Sequence, residues 1–197
     1  MSRRVTVALC VSLLALSVAV RRAYSVAASV ASAPFTADGR LQAPTGYREW
    51  IFLTSGLDMS YRQISGADHS MFDNVFVNPQ AYQSFVRTGT WPDGTEFVKE
   101  GRAASEKGSI NKSGKFQSGD TMGVEVHIKD SKRFADGWGF FFFDSVRSGP
   151  TQMIPAAAPC YSCHRQNGAV DSTFVQFYPT LLSIATQKRT LSPGYKP

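Results

Sequence analysis

Apolar and polar residues alternate with a period of two in three stretches of this chain: Thr95 to Arg102, Thr121 to Lys129 and Trp138 to Asp144. That period sends successive side chains to opposite faces of a sheet, so each stretch predicts a β-strand. Two earlier apolar runs of strand length, Trp50 to Leu53 and Met71 to Val77, predict two more. A helical signal is brief by comparison. "NPQAYQSFVRTG" predicts a short helix with Asn78 as N-cap, Pro79 in the first turn and Gly89 as the stop, with Tyr82, Phe85 and Val86 on one face. The polar, glycine-rich segment Glu106 to Gly119 predicts a mobile hairpin connection, and "WPDGT" ahead of Thr95 predicts a turn. "DSTFVQFYPTLLSIATQK" predicts a helical segment capped by Asp171 or Ser172 and interrupted at Pro179. "WGFFFF" (Trp138 to Phe143) is expected to serve mostly as sheet core and dimer interface. The expected fold is mainly β, an antiparallel sheet with a few short helices in one domain over residues 34–197.

The N-terminus changes the meaning of the composition. Arg3 and Arg4 precede an apolar run from Val5 to Val20, and small residues follow with A-x-A-like sites between about Ala28 and Ala33. This pattern predicts a signal peptide over residues 1–33 and a periplasmic protein. The run is shorter than the ~20 residues that a bilayer core requires, although Arg21 and Arg22 keep an uncleaved anchor as the competing reading. Cleavage would remove Arg3, Arg4, Arg21 and Arg22, lowering the formal charge from +6 to +2. The basic balance therefore belongs mostly to the leader and gives no reason to expect a nucleic-acid partner. Cleavage would also remove Cys10, leaving Cys160 and Cys163 as the only thiols.

Those two cysteines stand in "CYSCH", a C-x-x-C-H motif completed by His164. Two thiols at this spacing can add across the vinyl groups of a c-type haem, and the next residue then brings its imidazole to the iron. Structural zinc takes four Cys/His ligands, and there is no second cysteine pair. A thioredoxin-type pair belongs in a βαβ setting that this pattern lacks. One covalently bound haem per subunit, with His164 as metal ligand, is thus expected. An electron carrier would fill the sixth iron position from Met59, Met71, Met122, Met153, His69 or His127. The motif's late place in a strand-rich chain favours an open distal site instead.

Several segments together resemble the cytochrome P-460 family and its relative cytochrome c′-beta. They are "GYREW" (Gly46 to Trp50), "VFVNPQAY", "TGTWPDGTEFVKE", "GDTMGVEVHIK" and "CYSCHRQNGAVDSTFVQFYPTLL". The resemblance implies an antiparallel β protein, usually a homodimer, with one c-type haem whose distal side is open to small nitrogen compounds. It implies an enzyme oxidising hydroxylamine to nitrous oxide, or to nitric oxide and nitrite, with electrons passing to an external acceptor such as another c-type cytochrome. It also implies that Lys99 is bonded covalently to a porphyrin meso carbon and that Glu125 is the catalytic carboxylate. Asp73 stands where some members carry an arginine. A gas-binding protein of the cytochrome c′-beta kind, which has no such cross-link, and a plain electron carrier are the alternatives.

The residue types suit those roles. Alternation puts Lys99 on one strand face with Phe97, and Glu125 on one face with His127, so Phe97 and His127 are expected beside them in a distal pocket. Strand Lys and Glu more often face solvent, which is the plain alternative for both. A lysine is nucleophilic only when deprotonated, and burial against a haem is expected to lower its pKa. A positioned Glu125 carboxylate could accept a proton from hydroxylamine.

Overall fold

The computed structural model describes residues 35–61 and 70–196. The signal segment, Cys10 and His69 lie outside the described residues. Among these residues five strands form one antiparallel sheet in chain order: β1 (Ile51–Leu57), β2 (Met71–Val77), β3 (Glu96–Ser105), β4 (Phe116–Lys129) and β5 (Trp138–Phe143). Among the described residues three short α-helices accompany them: α1 (Pro79–Thr88), α2 (Pro159–Asn167) and α3 (Pro179–Lys188). The fold is therefore mainly β, as its alternation predicts. Among the described residues no helix is long and apolar enough to cross a membrane.

Each face of the sheet covers a different core. Val98 on β3, Val124, Val126 and Ile128 on β4, and Phe141 and Phe143 on β5 pack against Leu41, Tyr47 and Phe134. Val77, Phe97 and Phe140 point the other way, into a core shared with Phe85 of α1, Tyr161 of α2 and Leu181 of α3. The central strands thus have two buried faces, which hold their register firmly because a one-residue slip would exchange the two cores. A buried polar cluster adds to this on the first face. Glu100, 2% exposed, accepts hydrogen bonds from Tyr47 Oη and Arg102 Nε and pairs with Arg48 at 2.7 Å. Removing one partner of such a cluster leaves a buried charge uncompensated.

Five local expectations differ from the structure in detail. β4 begins at Phe116, so only Glu106 to Lys115 connect it to β3. The four residues Phe116 to Gly119 carry few apolar side chains, and ladder pairing such as Ala104 with Gln117 makes them strand. β1 runs beyond the apolar stretch to Leu57 through Ser55 and Gly56, again because β2 supplies its ladder. Asn78 occupies the α1 N-cap position without capping through its side chain. Its amide instead joins the helix start to β3, donating to Gly94 O at 2.9 Å and accepting from Glu96 N–H at 3.0 Å. Pro179 opens α3 rather than interrupting a longer helix, consistent with the preference of proline for the first turn. Asp171 and Ser172 cap nothing. Both adopt positive φ, 48° and 58°, in the turn that carries the chain back from α2.

Glu96 carries a pH dependence of its own. It is 8% exposed, makes no ion pair among the described residues, and burial pushes its carboxyl up to about 7. A folded-state pKa above the unfolded value means that stability is lost as pH rises from the unfolded pKa through the folded one. Denaturant unfolding of Glu96→Gln should match the parent near pH 4 and exceed it above pH 7. The expected gain is up to about 3 kcal/mol.

Candidate functional site

A cleft opens on the helix-bearing face of the sheet, and strand alternation decides its floor. Phe97 pairs with His127 and Lys99 with Glu125 across β3 and β4, so all four side chains emerge on one face. β2 adds Val75, registered with Lys99, and Asp73 two residues away on the same face. The opposite wall comes from the C-terminal third: His164 of α2, then Thr173, Phe174, Phe177 and Tyr178. Tyr61 closes one side, with its ring centroid 5.4 Å from that of Phe174.

Lys99 is the electrostatic centre of the floor. Its Nζ lies 2.8 Å from Glu125 Oε1 and 3.4 Å from Asp73 Oδ1. Burial pulls the ammonium down, but Glu125 and then Asp73 outweigh it, and the net direction is above the ordinary lysine value. This corrects the expectation from burial alone: the neighbouring carboxylates favour the charged form more than desolvation disfavours it. Asp73 moves up as well, chiefly through burial, with Lys99 opposing. Its Oδ1 is buried and, although within ion-pair distance of Lys99, makes no hydrogen bond. His127 stacks on Phe140 with centroids 4.2 Å apart. Burial first, then the neighbouring His164 and Lys99, hold it well below its ordinary value, so it is a neutral imidazole.

The C-x-x-C-H residues lie on α2, where positions i, i+3 and i+4 share a face. Cys160 and Cys163 are free thiols, both partly exposed, and Cys163 borders a groove that shares Tyr61, Phe174 and Phe177 with the cleft. His164 Nδ1 lies 2.9 Å from the carbonyl of Ser172. Donation of Nδ1–H to that carbonyl directs the lone pair of Nε2 away from it, the arrangement usual for a metal-bound histidine. Free thiols at vinyl spacing, a backbone-oriented imidazole and an aromatic-walled cleft make a donor set that fits a haem.

Contacts from the sheet hold this imidazole in place. Tyr161 Oη accepts from Phe140 N–H at 3.2 Å and donates to Ile154 O at 3.1 Å, anchoring α2 to β5. Lys129 at the end of β4 pairs with Asp171, and Trp91 Nε1 donates to Thr173 Oγ1 at 2.9 Å. These two contacts flank Ser172. Gly168 lets the turn close: a Cβ there would stand 2.7 Å from His164 O, Ser172 C and Thr173 N.

Cys160, Cys163 and His164 thus stand on one helix, with His164 facing the floor that carries Phe97, Lys99, Glu125 and His127. Of the other residues considered for the sixth iron position, Met59 lines the cleft and the Met71 methyl lies over Gly101. Met153 packs in the opposite core, and Met122 is 42% exposed. Within "WGFFFF", Phe142 is the outlier at 44% exposed; the other residues are buried. Sequence reasoning misses Asp73 as an ion-pair partner of Lys99, and also Tyr61, Phe174 and Tyr178. A signal for Asp73 exists, since alternation along "MFDNVFV" puts Asp73, Val75 and Val77 on one face.

A family model described as Cytochrome P460 matches residues 44–175. The match takes in all five strands, Lys99, Glu125 and the C-x-x-C-H helix. No curated protein matches the chain.

Gly168 offers a test of the backbone contact that orients His164. Gly168→Ala must displace the 172–173 backbone, and overpacking of this kind costs about 1–3 kcal/mol. Denaturant unfolding should show that loss, together with a changed iron-ligand absorption spectrum. An unchanged spectrum would mean that the Ser172 carbonyl does not set the imidazole.

Proposed function

The chain belongs to the cytochrome P460 family and is a haem-containing cytochrome; we propose that it is a periplasmic enzyme oxidising hydroxylamine to nitrous oxide, or to nitric oxide and nitrite. The observation that carries this reading is the cross-strand pair of Lys99 and Glu125, 2.8 Å apart on the cleft floor opposite His164. A haem bound through Cys160, Cys163 and His164 would supply the iron that takes up hydroxylamine and the route by which its electrons leave.

The protein's own part is then proton handling, positioning and exclusion of water. Glu125, with a side chain 38% exposed to the cleft, is reachable by a small substrate. It accepts a proton from hydroxylamine as the substrate is oxidised, the task of a positioned general base. Phe97, Phe174 and Tyr178 give the cleft apolar walls that limit competing water. His127 is neutral and held by Phe140, so it shapes the distal pocket without adding charge. Lys99 would hold the haem ring through Nζ, a third attachment beside those that Cys160 and Cys163 would supply.

Electrons pass to an external acceptor, in our reading another c-type cytochrome. A homodimer is part of the same proposal, supported by Phe52, 54% exposed on the edge strand β1, and Phe142 on the edge strand β5.

Peptide mass spectrometry of protein matured with a c-type haem assembly system tests the attachment. A haem peptide joining the Cys160–Cys163 segment to the Lys99 segment is expected. Complete recovery of free Lys99 would favour a gas-binding protein of the cytochrome c′-beta kind. Glu125→Leu tests the base: hydroxylamine should still bind, while turnover falls by about 10²–10⁴-fold. Unchanged turnover would remove Glu125 from the mechanism.

A further inference from the structure

Asp73 is the charged residue of the cleft that hydroxylamine oxidation leaves without a task, and its surroundings are unusual. In the row of residues registered across the sheet, Gly56 stands beside it on β1 and Gly101 on β3, with Gly123 next on β4. Asp73 is therefore the only member of that row with a side chain. The glycines keep it so: a Cβ at Gly101 would stand 2.7 Å from the Met71 methyl. Its side chain is 17% exposed, and Oδ1 is buried without a hydrogen bond.

The groups facing Asp73 come from every side of the cleft. β3 supplies Lys99 at 3.4 Å, and β4 supplies Glu125 beyond it and the neutral His127. The segment after β1 supplies Tyr61, whose phenol burial moves up, so it stays uncharged at neutral pH. α2 supplies His164, which burial moves down. Lys99 is thus the single cation among these groups, and two carboxylates from two different strands share it.

We propose that Asp73 is a positioning residue that, together with Glu125, holds Lys99 as an ammonium and thereby delays the bond between Lys99 and the haem ring. The inference rests on the Lys99 attachment proposed above. In that step Nζ of the ammonium forms a bond to a ring carbon, and the C–H bond of that carbon breaks. Two electrons leave with the change and require an external oxidant of the peroxide class. One hydrogen peroxide takes both electrons and becomes two waters, and one proton is released overall. The first event is loss of a proton from Lys99, because the ammonium has no lone pair with which to attack. Both carboxylates oppose that event while they remain ionised. Asp73 opposes it from the β2 side and is the more enclosed of the two, so it keeps its hold on Lys99 when a substrate occupies Glu125.

The test compares the parent, Asp73→Asn and Asp73→Glu, each matured with haem and exposed to peroxide across a pH series. The cross-linked fraction is read from peptide masses. In the parent this fraction should be incomplete at neutral pH and rise with pH. Asp73→Asn should shift the profile down by about one pH unit, equivalent to about a tenfold larger amine fraction at a given pH. Asp73→Glu should retain the parent profile. A parent that is fully cross-linked on isolation, or an Asn variant with an unmoved profile, overturns the proposal.

A second readout does not depend on the ring bond. Trace acetylation of Lys99 in haem-loaded protein prepared without oxidant is scored against the exposed Lys107 and Lys112. Lys99 should label only at higher pH than those two, and Asp73→Asn should remove most of the difference. Equal labelling in parent and variant overturns the inference. If no cross-link forms at any pH, the proposed attachment fails, and acetylation alone decides the role of Asp73.

Discussion

The pairing of β3 with β4 fixes every other feature of the cleft, because it decides which side chains of two fully flanked strands face α2. Lys99 opposes Glu125 and Phe97 opposes His127 only in one register. Val98, Val124 and Val126, all completely buried on the other face, would have to enter the cleft if that register slipped by a residue. Glu100 adds a polar constraint to this apolar one. Its hydrogen bonds to Tyr47 and Arg102 and its pair with Arg48 exist only on the first face, where the N-terminal segment covers the sheet. A carboxylate so enclosed cannot be moved to the cleft side without losing Tyr47 and Arg48, its partners from outside the strand. The core on one face therefore positions the chemistry on the other.

The wall opposite the floor depends on the same sheet through different contacts. Tyr161 ties α2 to the β5 backbone, Lys129 at the end of β4 pairs with Asp171, and Trp91 just ahead of β3 holds Thr173. His164 itself meets the sheet through ring contacts with His127 and Phe140, at centroid distances of 5.0 and 4.8 Å. Its orientation comes from the Ser172 carbonyl, and Ser172 is placed by neighbours that the sheet holds on both sides. A strained stretch persists there, with two consecutive non-glycine residues at positive φ, because flanking contacts over-determine it.

Much of this arrangement is legible in the period-two alternation of the chain. Alternation locates three of the strands, apolar runs of strand length locate two more, and alternation puts Lys99 with Phe97 and Glu125 with His127. The motif spacing identifies Cys160, Cys163 and His164 without help from the fold. What alternation does not report is which face of each strand is covered, and by what. Solvated and buried readings of Lys99 are separated only by the C-terminal third, which closes over it. The start of β4 is hidden for a related reason: Phe116 to Gly119 become strand through ladder bonds to β3, which leave little trace in composition. Pro179 misleads because proline interrupts a helix and begins one equally well, and only the preceding turn settles the choice. The direction of the Lys99 shift is not a local property either, since Asp73 lies twenty-six positions earlier and meets Lys99 only through the β2–β3 register.

That last contact gives the floor two electrostatic conditions rather than one. While Lys99 is an ammonium, Glu125 Oε1 is engaged as its ion-pair partner at 2.8 Å. A ring bond to Nζ would turn the ammonium into an uncharged aryl amine and leave Asp73 and Glu125 facing one another without their cation. Two carboxylates in one partly enclosed site take up a proton more readily than either does beside a positive charge. The proposed attachment of Lys99 would then do more than alter the haem: it would release Glu125 from its ion pair. On the proposal made above, the nucleophile for the cross-link and the general base for turnover occupy one ion pair, so the first reaction would prepare the second, and Asp73 would set the conditions under which the exchange occurs.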